Sequence, residues 1–333
     1  MKSEIPILDC SKISGSYDGV SDSDGFEEFA KQLGDGMSSI GFVYLTNHGV
    51  HHSIIDVVLR ESRNFFELPK DVKMKYRKPD AVENFNGYTP AEDEQLNETV
   101  GTTNKSGHDY KEAWDSWGKE MLSEANYPSE VPGMKKSVDD FRLSLVTLCK
   151  KLFLCFGHYL KLEDPEFFLQ RHRALDDLNI KSHNDIRTNY YMALNSSEVD
   201  EITEDAMRLN EHNDWGTVTF LVQDSVGGLE AKKTNGDWIP VPPIENSIVL
   251  NAGLMLEMWS GGHFPATGHR VRLLKSQAKT VRQSIGFFVQ PDGESNCIPL
   301  VPEKKDWHPA YPKVDKETHF EYFRNRVAGS RAY

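Results

Sequence analysis

His212-Asn213-Asp214 stands just before a β-prone run at 217–222, and His269 opens another β piece further on. On a strand end, residues i and i+2 face the same way, so an imidazole and a carboxylate can converge on one point. With His269 as third donor, they form two His and one carboxylate on one side of a metal. The other side stays open for a co-substrate and O₂, which is the facial chemistry of a non-haem Fe(II) site. A His-x-Asp tripeptide also arises by accident, so spacing alone leaves the metal reading open. The sequence contains its own control in an identical tripeptide, His183-Asn184-Asp185. Only one copy can partner His269. The second copy leads directly into a β run, and its separation from His269 suits one circuit of strands, so spacing favours His212 and Asp214.

Arg282-Gln283-Ser284 lies on a β-prone stretch at 281–290, where alternation puts Arg282 and Ser284 on one face. A guanidinium beside a hydroxyl is a receptor for a carboxylate, with a charge-assisted fork plus one more donor. A structural salt bridge at a barrel end is the competing reading. Tyr191 can add a phenol donor, and Asn189 shares its face. Arg187 shares that face too, where it either meets substrate or forms a salt bridge. Other candidates carry blander readings. His48 closes a strand, His51 and His52 begin a helix in solvent, and His263 is set apart from His269 by Pro265. Glu198, Asp200, Glu201, Glu204 and Asp205 form a charged exposed segment.

The elements that must position these residues fall into two styles. Residues 5–8 read as an edge strand because Pro6 interrupts them. Phe26, Phe29, Ala30, Leu33, Met37 and Ile40 recur at helical steps, with Ser21 or Ser23 as cap and Gly41 as stop. A strand at 42–45 and a helix at 54–66, stopped by Pro69, follow. Residues 80–118 read as an irregular excursion, and 137–162 as a buried helix. After Ile180, short β-prone pieces succeed one another at 186–193, 217–222, 228–232, 238–241, 247–250, 255–259, 269–274 and 281–289. Asn235-Gly236 signals a hairpin with a type I′ turn. A helix-rich first half feeding an all-β second half predicts an α+β fold with a mainly β core, of sandwich, barrel or jelly-roll type.

Composition narrows the function. The 333 residues carry 38 Lys and Arg against 51 Asp and Glu, a net charge of −13. Nucleic acids and anionic membranes want basic surface, so neither is expected as a partner. No apolar run approaches the roughly 20 residues of a membrane span, and the opening residues lack a signal peptide's apolar stretch. The four cysteines, Cys10, Cys149, Cys155 and Cys297, stand far apart and form neither a zinc motif nor a disulfide framework. A cytoplasmic protein with free thiols is the expectation, with a monomer favoured.

The motifs resemble those of the isopenicillin N synthase-like, 2-oxoglutarate/Fe(II)-dependent dioxygenases. His212-x-Asp214, His269 and Arg282-x-Ser284 match the family signature. Residues 5–9 (IPILD) look like its opening strand, 41–50 (GFVYLTNHGV) its strand before Asn-His-Gly, and 65–69 (FFELP) its FFxLP segment. Gly87-Tyr88, Tyr110-Lys111-Glu112, Asn189-Tyr190-Tyr191, the VGGLE and WIPV stretches at 226–230 and 238–241, WSGG at 259–262 and ATGHRV at 266–271 follow in the family's order. The matches run from about residue 5 to 290. In that order the metal pair falls after Asn-Tyr-Tyr and before Gly-Gly-Leu, which selects His212 and Asp214.

The resemblance implies a distorted double-stranded β-helix, a jelly roll, with an N-terminal helical region. It divides the chain into an N-terminal dioxygenase region at 1–120, a helical linker at 121–180, the jelly-roll core at 181–295 and a C-terminal segment near the substrate pocket at 296–333. His212, Asp214 and His269 would bind Fe(II). Arg282, Ser284 and Tyr191 would hold the distal carboxylate of 2-oxoglutarate, with Asn189 near the chelating end. O₂ would be the second co-substrate and ascorbate a reductant. Hydroxylation, with succinate and CO₂ released, is the expected outcome. The alternatives are an Fe(II) oxidase of the same fold that uses no 2-oxoglutarate, and a catalytically silent jelly roll. Two features depart from the family: a long gap between His269 and Arg282, spanned by an extended turn at 274–280, and Met192-Ala193 after Asn-Tyr-Tyr where a proline is common.

Overall fold

The computed structural model describes residues 4–13, 24–79, 86–91, 111–203, 206–301 and 317–330. Strand β1 (Ile7–Asp9) lies at a sheet edge, as Pro6 predicts. Helix α1 (Asp24–Ile40) buries all six of its periodic apolar residues. Its proposed caps, Ser21 and Ser23, lie outside the described residues. Gly41 ends the helix at φ +69, and a Cβ there would come within 2.0 Å of the Pro265 carbonyl oxygen. Only glycine satisfies both the left-handed turn and the close approach. The chain then enters β2 (Phe42–Thr46) and α2 (His52–Phe66), whose N-cap is the exposed His51. Pro69 caps a further helical turn, α3 (Lys70–Lys73).

β3 (Gly87–Thr89) and β4 (Glu112–Trp117) correct the reading of 80–118 as irregular, since both join the major sheet. The remainder of that stretch, 80–85 and 92–110, lies outside the described residues. Every residue of β4 is buried, including Glu112, Asp115 and Ser116, so no apolar–polar alternation marks it. Glu112 is buried in an ion pair with Lys73 at 2.7 Å.

Helices α4 (Met134–Tyr159) and α5 (Phe167–Gln170) lead into β5 (Asp185–Tyr191), the short α6 (Ser196–Glu201) and β6 (Met207–His212). β6 is not legible as a strand because its buried positions include Arg208, Asn210 and Glu211. Next come β7 (Val218–Gln223), β8 (Leu229–Lys232), β9 (Trp238–Pro240) and β10 (Ile248–Ala252). Residues 255–259, expected as a strand, instead form the wholly buried helix α7 (Leu254–Trp259). A short, fully apolar run carries no periodicity that separates the two states. β11 (His269–Arg272), β12 (Arg282–Val289) and α8 (His319–Ser330) complete the described chain.

The hairpin between β8 and β9 forms as predicted, but with a different turn. Gly236 donates to the Lys233 carbonyl at 2.9 Å, and only Gly236, at φ +91, is left-handed. A type I′ turn needs both central residues at positive φ, so this is a type I turn closed by a left-handed glycine.

The strands build an eight-stranded sheet in the order β1-β2-β10-β7-β12-β5-β4-β3 and a four-stranded sheet in the order β6-β11-β8-β9. This is the expected α+β jelly roll with a mainly β core. One face of the major sheet packs Phe220, Ile285 and Phe287 against α1, α2 and α4, including Phe29, Phe65 and Phe153. The other faces the minor sheet, where Phe42, Tyr44 and Val249 meet Leu209, Leu229 and Val271. Among the described residues, no helix is long and apolar enough to cross a membrane.

Candidate active site

β6 and β11 pair antiparallel with His212 and His269 as direct partners. That register brings the two imidazoles to a centroid separation of 4.3 Å. Asp214 lies beyond the end of β6, in the connection to β7, so its approach to His212 comes from a turn rather than from one continuous strand. The turn is pinned by Leu254, whose N–H donates to the Asp214 carbonyl at 2.8 Å. Asp214 Oδ1 sits 3.9 Å from His212 Nε2 and 3.7 Å from His269 Nε2. One atom from each of the three residues falls within 4.8 Å of the others, and no other such group of His, Cys, Asp and Glu occurs among the described residues.

The hydrogen bonds around the three fix which atoms face inward. His212 Nδ1 bonds the Asn210 carbonyl at 2.9 Å, and His269 Nδ1 bonds the Thr267 carbonyl at 3.1 Å. A carbonyl only accepts, so each Nδ1 holds the proton and each Nε2 presents its lone pair. Asp214 Oδ2 accepts from the Thr219 hydroxyl at 2.6 Å and the Asn251 amide at 2.7 Å, which leaves Oδ1 to the histidines. Burial pushes His212 down to about 4, with the neighbouring His269 adding to it. Burial alone would raise Asp214, but the two imidazoles and its two donors outweigh that and hold it below the usual carboxylate range. Two inward-facing Nε2 atoms and one carboxylate oxygen within reach of one point are the donors a divalent metal requires, so the donor set fits Fe(II).

Arg282 and Ser284 share a face, as alternation requires, with Nη1 3.4 Å from Oγ. They stand opposite Tyr191 and Asn189 on β5. The Arg282 side chain is fully buried, its Nε donates to the Gly227 carbonyl at 2.8 Å, and its Nη2 reaches Gln223 Oε1 at 3.2 Å. Its guanidinium carbon lies 4.7 Å from the Tyr191 ring centre. Among the described residues, no carboxylate pairs with it. Asn189 is buried, and its Oδ1 has no partner among the described residues.

Sequence reasoning missed three supporting residues. Thr219 and Asn251 orient Asp214 from β7 and β10, and no spacing rule announces them. Arg208 donates through Nη2 to the carbonyls of Gln277 at 3.0 Å and Thr280 at 2.9 Å. It thus anchors the long turn between His269 and Arg282.

The decoy tripeptide is built into other work. His183 stacks on Trp117 and on Phe320 and Phe323 of α8, at centroid distances of 5.1, 4.6 and 4.0 Å. Burial pushes it down to about 3. His48 accepts from Val50 N–H at 3.2 Å, and neither it nor His263 joins the metal cluster. In the acidic segment, Glu198 completes a capping box on α6 with Asn195, while Glu204 and Asp205 lie outside the described residues. Arg187 forms the salt bridge that competed with a substrate role, through Nε to Asp115 Oδ1 at 2.7 Å. The four cysteines are buried and free.

A jelly roll that converges two imidazoles and a carboxylate beside a buried, carboxylate-free guanidinium defines a non-haem iron enzyme that takes an acidic co-substrate. Comparison with known proteins agrees. Residues 5–132 match the family described as non-haem dioxygenase in morphine synthesis N-terminal, and residues 182–291 match the 2OG-Fe(II) oxygenase superfamily. The 2-oxoglutarate-dependent dioxygenase frbA of Dothideomycetidae sp. (strain 11243) is 28% identical, over 90% of this chain and 91% of its own. The 2-oxoglutarate-Fe(II) type oxidoreductase ppzD of Metarhizium majus is 30% identical, over 80% of each. A full-length Neurospora crassa protein, crystallised in complex with alpha-KG and thymine, superposes with a TM-score of 0.78 at 27% identity, covering 98% of this chain and 96% of that one. The chain belongs to the 2OG-Fe(II) oxygenase superfamily. It is a 2-oxoglutarate- and Fe(II)-dependent dioxygenase that acts on a small molecule.

Proposed function

We propose that the enzyme hydroxylates a small organic molecule, with His212, Asp214 and His269 as the Fe(II) ligands and Arg282, Ser284 and Tyr191 as the clamp for the distal carboxylate of 2-oxoglutarate. Asn189 lies at the chelating end of the co-substrate. The observation that carries this reading is the pairing of three inward-facing donor atoms with a buried guanidinium that has no carboxylate partner among the described residues. A buried charge is expensive unless paired, so Arg282 is built to receive an anion.

Bound Fe(II) and 2-oxoglutarate supply the oxidising chemistry, in which O₂ is consumed, succinate and CO₂ leave, and one oxygen atom enters the substrate. The chain's own residues do the positioning. Thr219 and Asn251 hold Asp214 in one orientation, and the Asn210 and Thr267 carbonyls hold the two imidazole tautomers. Gly227 and Gln223 aim the Arg282 guanidinium, which is itself buried. The acidic composition and the four free, buried thiols support a cytoplasmic protein, which we read as a monomer.

The test is turnover with Fe(II), 2-oxoglutarate and O₂ in the presence of a cell extract, and separately with thymine, the ligand in the Neurospora crassa structure. Succinate formation coupled to a gain of 16 mass units in a small molecule supports the reading. A coupled loss of 2 mass units means desaturation or ring closure instead. No succinate from iron-loaded protein under either condition overturns it.

A further inference from the structure

We propose that Arg208 is a second cation of the co-substrate clamp, with its Nη1 donating to the distal carboxylate of 2-oxoglutarate alongside Arg282. The inference rests on the clamp assignment above and adds a residue to it.

The strand register shows how Arg208 comes to lie inside. β6 is an edge strand of the minor sheet, paired only with β11. His212 pairs with His269, Leu209 with Val271 and Met207 with Arg272. Between Met207 and Leu209, β11 has no residue to set against Arg208, which is therefore the extra residue of a β-bulge. A bulge bends the strand and re-aims the side chain it carries, and bulges recur next to active sites. An arginine on an edge strand has water within easy reach, yet Arg208 is only 2% exposed. Arg208 and Arg282 are the charged members among the largest fully buried side chains.

Two lines of contact bring these guanidinium groups to the same end of the barrel. Arg208 Nη2 donates to the Thr280 carbonyl at 2.9 Å, and Thr280 stands two residues before Arg282. Leu209, the neighbour of Arg208, packs in one apolar cluster with Tyr191. Tyr191 is the direct strand partner of Arg282, and its ring centre lies 4.7 Å from the Arg282 guanidinium carbon.

Anchoring the turn before β12 occupies Nη2 alone, through the carbonyls of Gln277 and Thr280. Nη1 is buried and has no hydrogen-bond partner among the described residues. A guanidinium only donates, and an unmatched donor on a buried charge is costly. Its complement is an acidic oxygen. Burial, and then the charge of Arg282, push the Arg208 guanidinium down from its usual range. Asp224 attracts it, but that carboxylate already accepts from the Gln283 N–H at 2.6 Å and the Val226 N–H at 3.0 Å. Two buried cations at one end of the barrel repel each other until an anion joins them. The carboxylate that Arg282 is built to receive has two oxygens, enough for a donor from each arginine.

The experiment uses the full chain with Fe(II) under argon and reads the charge-transfer band of the chelate. 2-Oxoglutarate and 2-oxopentanoate are titrated in turn. They share the carbon chain and the chelating end, and the second carries a methyl group in place of the distal carboxylate. Arg208→Gln should weaken 2-oxoglutarate about ten- to a hundredfold, the loss of one charge-assisted hydrogen bond, and leave 2-oxopentanoate within about threefold of wild type. Arg208→Lys keeps the charge and a donor for the turn but loses the planar fork, so it should weaken 2-oxoglutarate selectively by about threefold or more. That variant decides the matter if Arg208→Gln fails to fold. Unchanged 2-oxoglutarate affinity in the Arg208 variants would leave Nη1 to water and overturn the inference. Parallel weakening of both ligands would mark Arg208 as a support for the turn alone and overturn it too. Arg282→Ala, titrated beside them, separates the two readings. A loss confined to Arg282→Ala refutes the role of Arg208 and spares the clamp, whereas unchanged affinity in all variants refutes both.

Discussion

Removing Arg282 isolates the co-substrate clamp from the metal. The side chain is 1% exposed, and its donors reach Gly227, Gln223 and Ser284 at 2.8, 3.2 and 3.4 Å. Arg282→Ala would leave a bound 2-oxoglutarate carboxylate buried without its counter-charge, which costs about 3–5 kcal/mol. At about 1.4 kcal/mol per decade, the dissociation constant should rise by roughly two to four orders of magnitude. Arg282→Lys should recover only part, because an ammonium cannot form the fork. Ser284→Ala should cost less, about 1.5–3 kcal/mol for one charge-assisted hydrogen bond. The assay is an anaerobic titration of the Fe(II) protein with 2-oxoglutarate, read from the charge-transfer band of the chelate. Urea unfolding of each variant separates lost affinity from lost folding, since Arg282→Ala also strips donors from Gly227 and Gln223. If Arg282→Ala binds 2-oxoglutarate within about threefold of wild type while still folded, the clamp is misassigned.

Further outcomes follow from the packing. His183→Ala should leave Fe(II) binding intact but destabilise the protein by about 1–3 kcal/mol in urea, because the ring that docks α8 is lost; unchanged stability would refute that docking role. Burial holds His172 neutral, with its pKa pushed down to about 4 and Nε2 bonded to the Thr217 hydroxyl at 2.8 Å. The unfolded chain takes up that proton first as pH falls below about 6.5, so stability is full above that point and lost between it and about pH 4. Between pH 7 and 5, wild type should therefore lose about 2 kcal/mol more than His172→Gln in urea titrations, and equal losses would contradict the assignment. Cys10, Cys149, Cys155 and Cys297 should all react with a thiol reagent after denaturation without reductant, and a protected pair would show a disulfide the structure lacks.

What can be read from the sequence tracks which faces meet an apolar core. Helix α1 is legible because its buried stripe is wholly apolar. β4 and β6 are not, because their buried residues include Asp115, Glu112, Arg208 and Asn210, so period-two alternation is absent from strands that line or support the site. α7 reads as a strand because a short, fully buried run reports burial without geometry. The metal ligands are legible as types, but spacing only inclines between two identical tripeptides, and family order selects the second. The fold separates them physically: register pairs His212 directly with His269, whereas His183 is spent on aromatic stacking under α8. Thr219, Asn251 and Arg208 act through contacts between distant strands, for which the sequence carries no local signal.

Iron stoichiometry tests the central claim most directly. Equilibrium dialysis against Fe(II) under argon should give stoichiometric binding to wild type and to His183→Ala and Asp185→Asn. His212→Ala, Asp214→Ala and His269→Ala should each bind none, since a facial site has no spare protein ligand. Retention of iron by His212→Ala together with its loss from His183→Ala would contradict the assignment.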